Sequence, residues 1–394
     1  MESVAFVPVA PITPPGRPAL NLHRSNRFRS VLVAASLLVL GACGSDDNPA
    51  PIHTLTPGAA YHGTMTPAAP LEVSGSSEAV AINAVAEAGF VFAGWVATPA
   101  DKAVFEDAGL ASAHVFVSGD VTIAPTFMVA VADFFVNPRL GADDAAGTSA
   151  AQAFRTLTQA LTAAAPVKDA NPVIALAPGL YNAANGEVFP LVVPPGITVV
   201  GDEDNYGAGI TIDGAGPMPS WNAIPVALIP SSGAAVRGLS LATSGRFTLA
   251  YDPPSGGTGI VLTRNTIAPG TDGGLYVQVA EWGLIDDNVW LAGSMTLVAV
   301  GGAGNTVVSD NVFNGPVELD DNHVDLGGGA GSSTGHNQFI GNGMSFFSGV
   351  GIMARDNHWR HAPPTVSPTF AYGPSEYDMY LAGENTTVDT TGYY

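Results

Sequence analysis

Carboxylates paired with each other or alternated with histidine mark where this chain could do chemistry. Asp321-Asn322-His323-Val324-Asp325 is the sharpest such string. Alternate residues of a strand share a face, so Asp321, His323 and Asp325 would present two carboxylates and an imidazole together, a plausible metal-ligand set. Asp286-Asp287 and Asp320-Asp321 are adjacent carboxylates. Neighbours on a strand point to opposite faces, so Asp286 and Asp287 are not expected to share one task. Glycosidic hydrolysis needs two carboxylates on one face. Elimination beside a uronate carboxylate needs a base, often with Ca²⁺ to acidify the proton. Either reaction would use Arg or Lys to hold an anionic sugar, but Arg237, Arg264 and Arg355 are scattered and lysine occurs only at Lys102 and Lys168. Asp143-Asp144 suits a Ca²⁺ loop or a turn cap equally. His358-Trp359-Arg360-His361 lies too far along the chain to complete the Asp321 cluster. Solvated strand and corner residues are the simpler account of these strings, Asp143-Asp144 apart. No catalytic residue is assigned on this basis, and no cofactor is required; Ca²⁺ enters only with an enzymatic alternative.

The elements that would position these residues are announced by a repeat. Asn265, Asn288, Asn311, Asn337 and Asn357 recur in similar surroundings, at steps of 23, 23, 26 and 20 residues. A period of that length marks a solenoid, and the intervening Val, Ile, Leu, Thr and Gly suit strands and turns. One period cannot build its own core and must stack on its neighbours. The fold expected is all-β: a right-handed parallel β-helix, with equivalent residues of successive coils superposed about 4.8 Å apart. Asparagine tolerates the left-handed backbone of a sharp corner, and its amide can pass hydrogen bonds along a stack. The five asparagines are therefore expected to form a structural ladder at the corners.

Charged residues are 12% of the 394-residue chain, while Gly 47 and Pro 31 give a turn-rich composition. A net charge of −21 argues against nucleic acid and anionic headgroups as partners, since both require basic patches. Arg24, Arg27 and Arg29 precede a short apolar run from Val31 to Ala42, the pattern of a secretory signal over residues 1–42. Leu40-Gly41-Ala42-Cys43 resembles the bacterial lipobox, which implies lipidation of Cys43, the chain's single cysteine. Gly44 follows it, which makes the outer membrane the expected destination. Residues 43–53 then read as a flexible tether.

A first module is expected over 54–130. Ala81 to Ala86 and Val121 to Phe127 alternate as half-buried strands do, and Trp95 is expected in the core. Its Gly89-Phe90-Val91-Phe92-Ala93-Gly94-Trp95 followed by Val121-Thr122 and Phe127 resembles a divergent internalin B-type repeat. A second module, 133–365, begins with Phe135-Val136-Asn137-Pro138, Gly141-Ala142-Asp143 and Gly147-Thr148-Ser149. Ser149 and Gln152 have capping-box spacing, and Phe154, Leu157 and Leu161 share one helical face. A capping helix is expected over 150–164, closing the first coil. Phe154-Arg155-Thr156-Leu157, Ala177-Pro178-Gly179-Leu180-Tyr181, and Phe189-Pro190-Leu191 leading to Val193-Pro194-Pro195-Gly196 complete a string that resembles the DUF1565 family of pectin-lyase-like β-helix proteins. The resemblance implies the fold and no particular activity. Residues 366–394 lose the repeat and read as a tail over the last coil.

Together these readings describe a lipid-anchored cell-envelope β-helix, periplasmic or surface-facing, that binds or displays without catalysis and contacts polysaccharide. The alternative is a polysaccharide lyase or glycoside hydrolase, which would gather carboxylates and an Arg or Lys in one groove.

Overall fold

The computed structural model describes residues 50–75, 78–218, 224–250, 258–271, 274–279, 283–291, 295–299, 305–319, 324–341, 344–346, 351–367, 377–381 and 387–394. Residues Ala50–Tyr394 make one unit. In its first part, alternation drives two four-stranded sheets together. One runs Leu71–Ser74, Ile52–Pro57, Val121–Val129, Phe90–Thr98; the other runs Gly63–Thr66, Ala79–Ala86, Ser112–Val117, Ala103–Phe105. Their inward residues, among them Leu55, Val115, Ile123 and Phe127, close a core around Trp95, whose indole N–H donates to the Leu110 carbonyl at 2.8 Å.

From Phe134 onward the chain coils into a parallel β-helix. A ten-stranded sheet (sheet I) runs from Phe134–Val136 through Val173–Leu176, Val261–Thr263 and Leu284–Asp286 to Val388–Asp389. A seven-stranded sheet (sheet II) runs from Gly179–Tyr181 to Gln338–Phe339. The third (sheet III) runs in parallel from Leu191–Val193 to Met379–Leu381, with the short Gly216–Pro217 antiparallel to Pro225–Pro230 at its side. Register holds from coil to coil: Val200, Arg237, Thr263, Asp286 and Ser309 follow one another in sheet I. A single core fills the interior, including a stack of Trp290, Phe313, Phe339 and Trp359 with ring centroids 6.0, 5.3 and 4.6 Å apart.

The helix differs from its sequence expectation. Residues Ala150–Gln152 make only a 3₁₀ turn, Ser149 makes no side-chain cap, and the α-helix (α1) spans Leu157–Ala164. Strand pairing wins over helical propensity in between, because the Phe154 N–H donates to the Phe135 carbonyl and Phe154 bridges Val136. Thr156 is the actual cap, accepting from the Gln159 N–H at 3.1 Å. The Glu187 carboxylate also accepts from the Leu157 and Thr158 N–H groups at 2.7 and 2.9 Å, holding this end of the helix. Burial pushes the Glu187 carboxyl above its ordinary range despite these bonds. Leu157, Ala160, Leu161 and Ala164 face the core beside Phe134–Val136 and Leu191–Val193.

The first module is fused to the coil. Ala93 and Met128 share an apolar cluster with Phe135, Ala175, Ala177 and Val200, and buried Asn137 donates to the Ala93 carbonyl at 2.7 Å. Gly94 lies at a register shift with φ +141°, where an added Cβ would stand 2.6 Å from Leu140.

Candidate functional site

Between sheets I and II each coil turns a corner, and the turn separates two neighbouring residues. The residue before each ladder asparagine takes the left-handed conformation: Arg264 φ 54°, Asp287 54°, Asp310 56°, His336 59° and Asp356 56°. The sequence reading placed that conformation on the asparagine itself. The structure moves it back one position, and the physical consequence is that the asparagine side chain turns inward while its predecessor faces out.

Inside the corner, Asn265, Asn288, Asn311, Asn337 and Asn357 are all 0% exposed. From Asn288 to Asn357, each ladder oxygen accepts both the backbone N–H and the amide Nδ2 of the preceding asparagine, at 3.0 and 3.0 Å for Asn288 on Asn311. The remaining amide hydrogens reach main-chain carbonyls, as Asn311 does to Ile285 and Ser309 at 2.8 Å. The stack ends on the Leu239 N–H, which donates to Asn265 Oδ1. Every side-chain polar atom of the ladder has a partner, as a buried amide requires.

Outside the corner runs a polar ridge. The Asp287 carboxylate accepts from the Tyr206 hydroxyl at 2.7 Å on one oxygen and from Arg264 Nε at 3.1 Å on the other. Arg264 also approaches Asp204 at 4.0 Å, and Arg237 pairs with Glu203 at 3.1 Å. One coil on, Ser309 donates to Asp286; further along, Asp310 meets His336 at 3.4 Å and accepts from Thr334. At the far end Arg355 Nε donates to Asp389 at 2.7 Å. At the near end His62 of the first module binds Asp202 at 2.9 Å, with its ring stacked 3.9 Å from Phe90.

Asp286 and Asp287 do not alternate across the strand as their sequence predicts. Ile285 and Asn288 are buried and both aspartates between them face outward, because the left-handed turn at Asp287 breaks the two-residue period. Their environments differ. Burial pushes the Asp286 carboxyl up, Ser309 opposes it, and the charges of Asp310 and Asp287 add to the rise. Donation to Asp287 holds the Tyr206 hydroxyl above its ordinary range. The Asp389 carboxyl is brought down to about 2, chiefly by Arg355.

The remaining sequence candidates lie elsewhere. Asp321, His323, Asp320 and Cys43 fall outside the described residues. Asp325 is 1% exposed, and its carboxylate accepts from the N–H groups of Gly327, Gly329 and Ser333, so it organises a loop. Asp143 likewise accepts from the Arg155 and Thr156 N–H groups. Among the described residues no group of three or more His, Cys, Asp or Glu could hold a metal ion, and no helix is long and apolar enough to cross a membrane. Sequence reasoning missed Tyr206, Asp204, Asp310 and His336. The last two could have been found, because the polar residue just before each asparagine is part of the repeat.

An all-β chain of parallel sheets with stacked corners is a parallel β-helix. Residues 140–288 match the family model "Protein of unknown function (DUF1565)". No curated protein and no solved structure matches the chain.

Proposed function

We propose that this protein is a cell-envelope display β-helix whose corner ridge binds polysaccharide without cleaving it. The observation that carries this reading is the outward polar row, about one residue per 4.8 Å of axis, with its charges already paired. A regular row of donors and acceptors suits the hydroxyls of a repeating sugar chain. Arg237, Arg264 and Arg355 are each committed to a carboxylate, so they are poorly placed to hold uronates. The ridge carries more Asp and Glu than Arg, which favours neutral or amino-bearing sugars over polyanions. Asp287, with both oxygens engaged, is likewise a poor free base.

Anchoring through Cys43 in the outer membrane, with residues 54–130 as an internalin-like spacer fused to the coil, completes the proposal. It rests on the signal and lipobox pattern in the sequence. Affinity electrophoresis in gels of neutral, amino-bearing and uronate polysaccharides tests the ridge. Retardation by the first two, weakened in Asp287→Ala and Asp310→Ala, is expected. Preference for polyuronate, or product formed from it with Ca²⁺ and lost with EDTA, would support the lyase alternative instead. Cys43→Ala should release the protein from membranes; unchanged fractionation would refute the anchor.

A further inference from the structure

Four described histidines pair with carboxylates, and one pair is unlike the rest. His114 and Glu106 are both more than half exposed, and His336 meets a half-exposed Asp310 at 3.4 Å. Such pairs exchange readily with water and fix little. His62 engages Asp202 through Nε2, and both side chains are mostly covered. His361 instead puts Nδ1 2.8 Å from Asp378, whose side chain is 2% exposed while the imidazole is 46% exposed.

Asp378 is locked. Its Oδ1 accepts from the Arg360 N–H at 3.1 Å, and its Oδ2 accepts from the Thr365 N–H and hydroxyl, both at 2.8 Å. Burial opposes the charge, but the donors of Thr365 and His361 outweigh it and bring the carboxyl below its ordinary range. An ionised carboxylate with no proton to give forces Nδ1 of His361 to be the donor. The neutral imidazole is then held in its Nδ1–H tautomer, with the Nε2 lone pair on the opposite edge of the ring. That is how a buried aspartate prepares a histidine to take a proton.

We propose that His361 is an acid–base group, with Asp378 as its positioning residue, whose Nε2 takes a proton from water or from a ligand hydroxyl. The centre sits on the loop of residues 360–365, which leads from the last ladder asparagine towards strand Met379–Leu381 of sheet III, and it does not depend on the ridge reading. With an activated ester the step balances as follows. Nε2 removes a proton from water as the water oxygen bonds to the carbonyl carbon. The bond to the aryl oxygen breaks, p-nitrophenolate and acetic acid leave, and Nε2 returns its proton to solvent.

The test uses the full chain and p-nitrophenyl acetate. His361→Gln is expected to lower hydrolysis at least about tenfold, a modest share of what general-base catalysis supplies in evolved sites. Asp378→Asn should lower it as well, with a changed pH profile, and Asp378→Glu should recover part of the rate. Because Asp378 variants can unfold the loop, histidine side-chain ¹⁵N correlations on the unaltered protein give an independent reading. The Nδ1–H tautomer at His361 supports the proposal. An Nε2–H tautomer, or a rate unchanged in His361→Gln, overturns it.

Discussion

The inner and outer sides of the corner are built from adjacent residues and do opposite work. Asn311 is fully buried with its side-chain amide atoms bonded, whereas Asp310 beside it is half exposed and its carboxylate meets the exposed Thr334 and His336. The same contrast recurs at Asn288 and Asp287, and at Asn337 and His336. One left-handed residue per coil thus separates the groups that hold the fold from the groups it displays. Removing an inner group strands buried partners, which costs far more than losing an exposed ion pair.

This contrast can be broken at several depths. Phe313→Ala, in the middle of the aromatic stack, should cost about 4 kcal/mol in urea unfolding, because it leaves a cavity between Trp290 and Phe339. Asn311→Ala should cost about 3 kcal/mol, since it orphans the Asn288 N–H and the Ile285 carbonyl among others. Asp287→Asn on the ridge should change stability by less than about 1 kcal/mol in the same assay.

Two carboxylates should move oppositely with pH. Asp389 has a depressed folded value, so its contribution is present above the ordinary carboxylate range and is lost as pH falls towards about 2. Hydrogen exchange of the Val388–Asp389 strand should show that acid step, and Arg355→Gln should shift it upward. Asp286 has a raised folded value, so its contribution is present at acid pH and lost as pH rises through that value. Asp286→Asn should therefore be slightly stabilising at neutral pH in thermal melts.

The solenoid was legible because its asparagines repeat, and a repeat reports stacking directly. The helix boundary was not legible, since pairing of Phe154 with Phe135 depends on a strand some twenty residues earlier. The outward placement of both Asp286 and Asp287 was hidden for a related reason: alternation rules assume extended backbone, and one left-handed residue cancels them. Tyr206 meets Asp287 across 81 residues, and no local pattern encodes that approach. Asp378 was invisible as a partner of His361 until strand Met379–Leu381 brought the two together.

The most direct test compares Asp310→Ala with Asn311→Ala in one experiment, thermal melting followed by polysaccharide affinity electrophoresis of the folded protein. The account predicts that Asn311→Ala lowers the melting temperature by roughly 5 °C or more while the folded fraction binds normally. Asp310→Ala should melt as the unaltered protein does and bind more weakly. A large loss of stability in Asp310→Ala with unchanged binding, or the reverse pattern in Asn311→Ala, would contradict it.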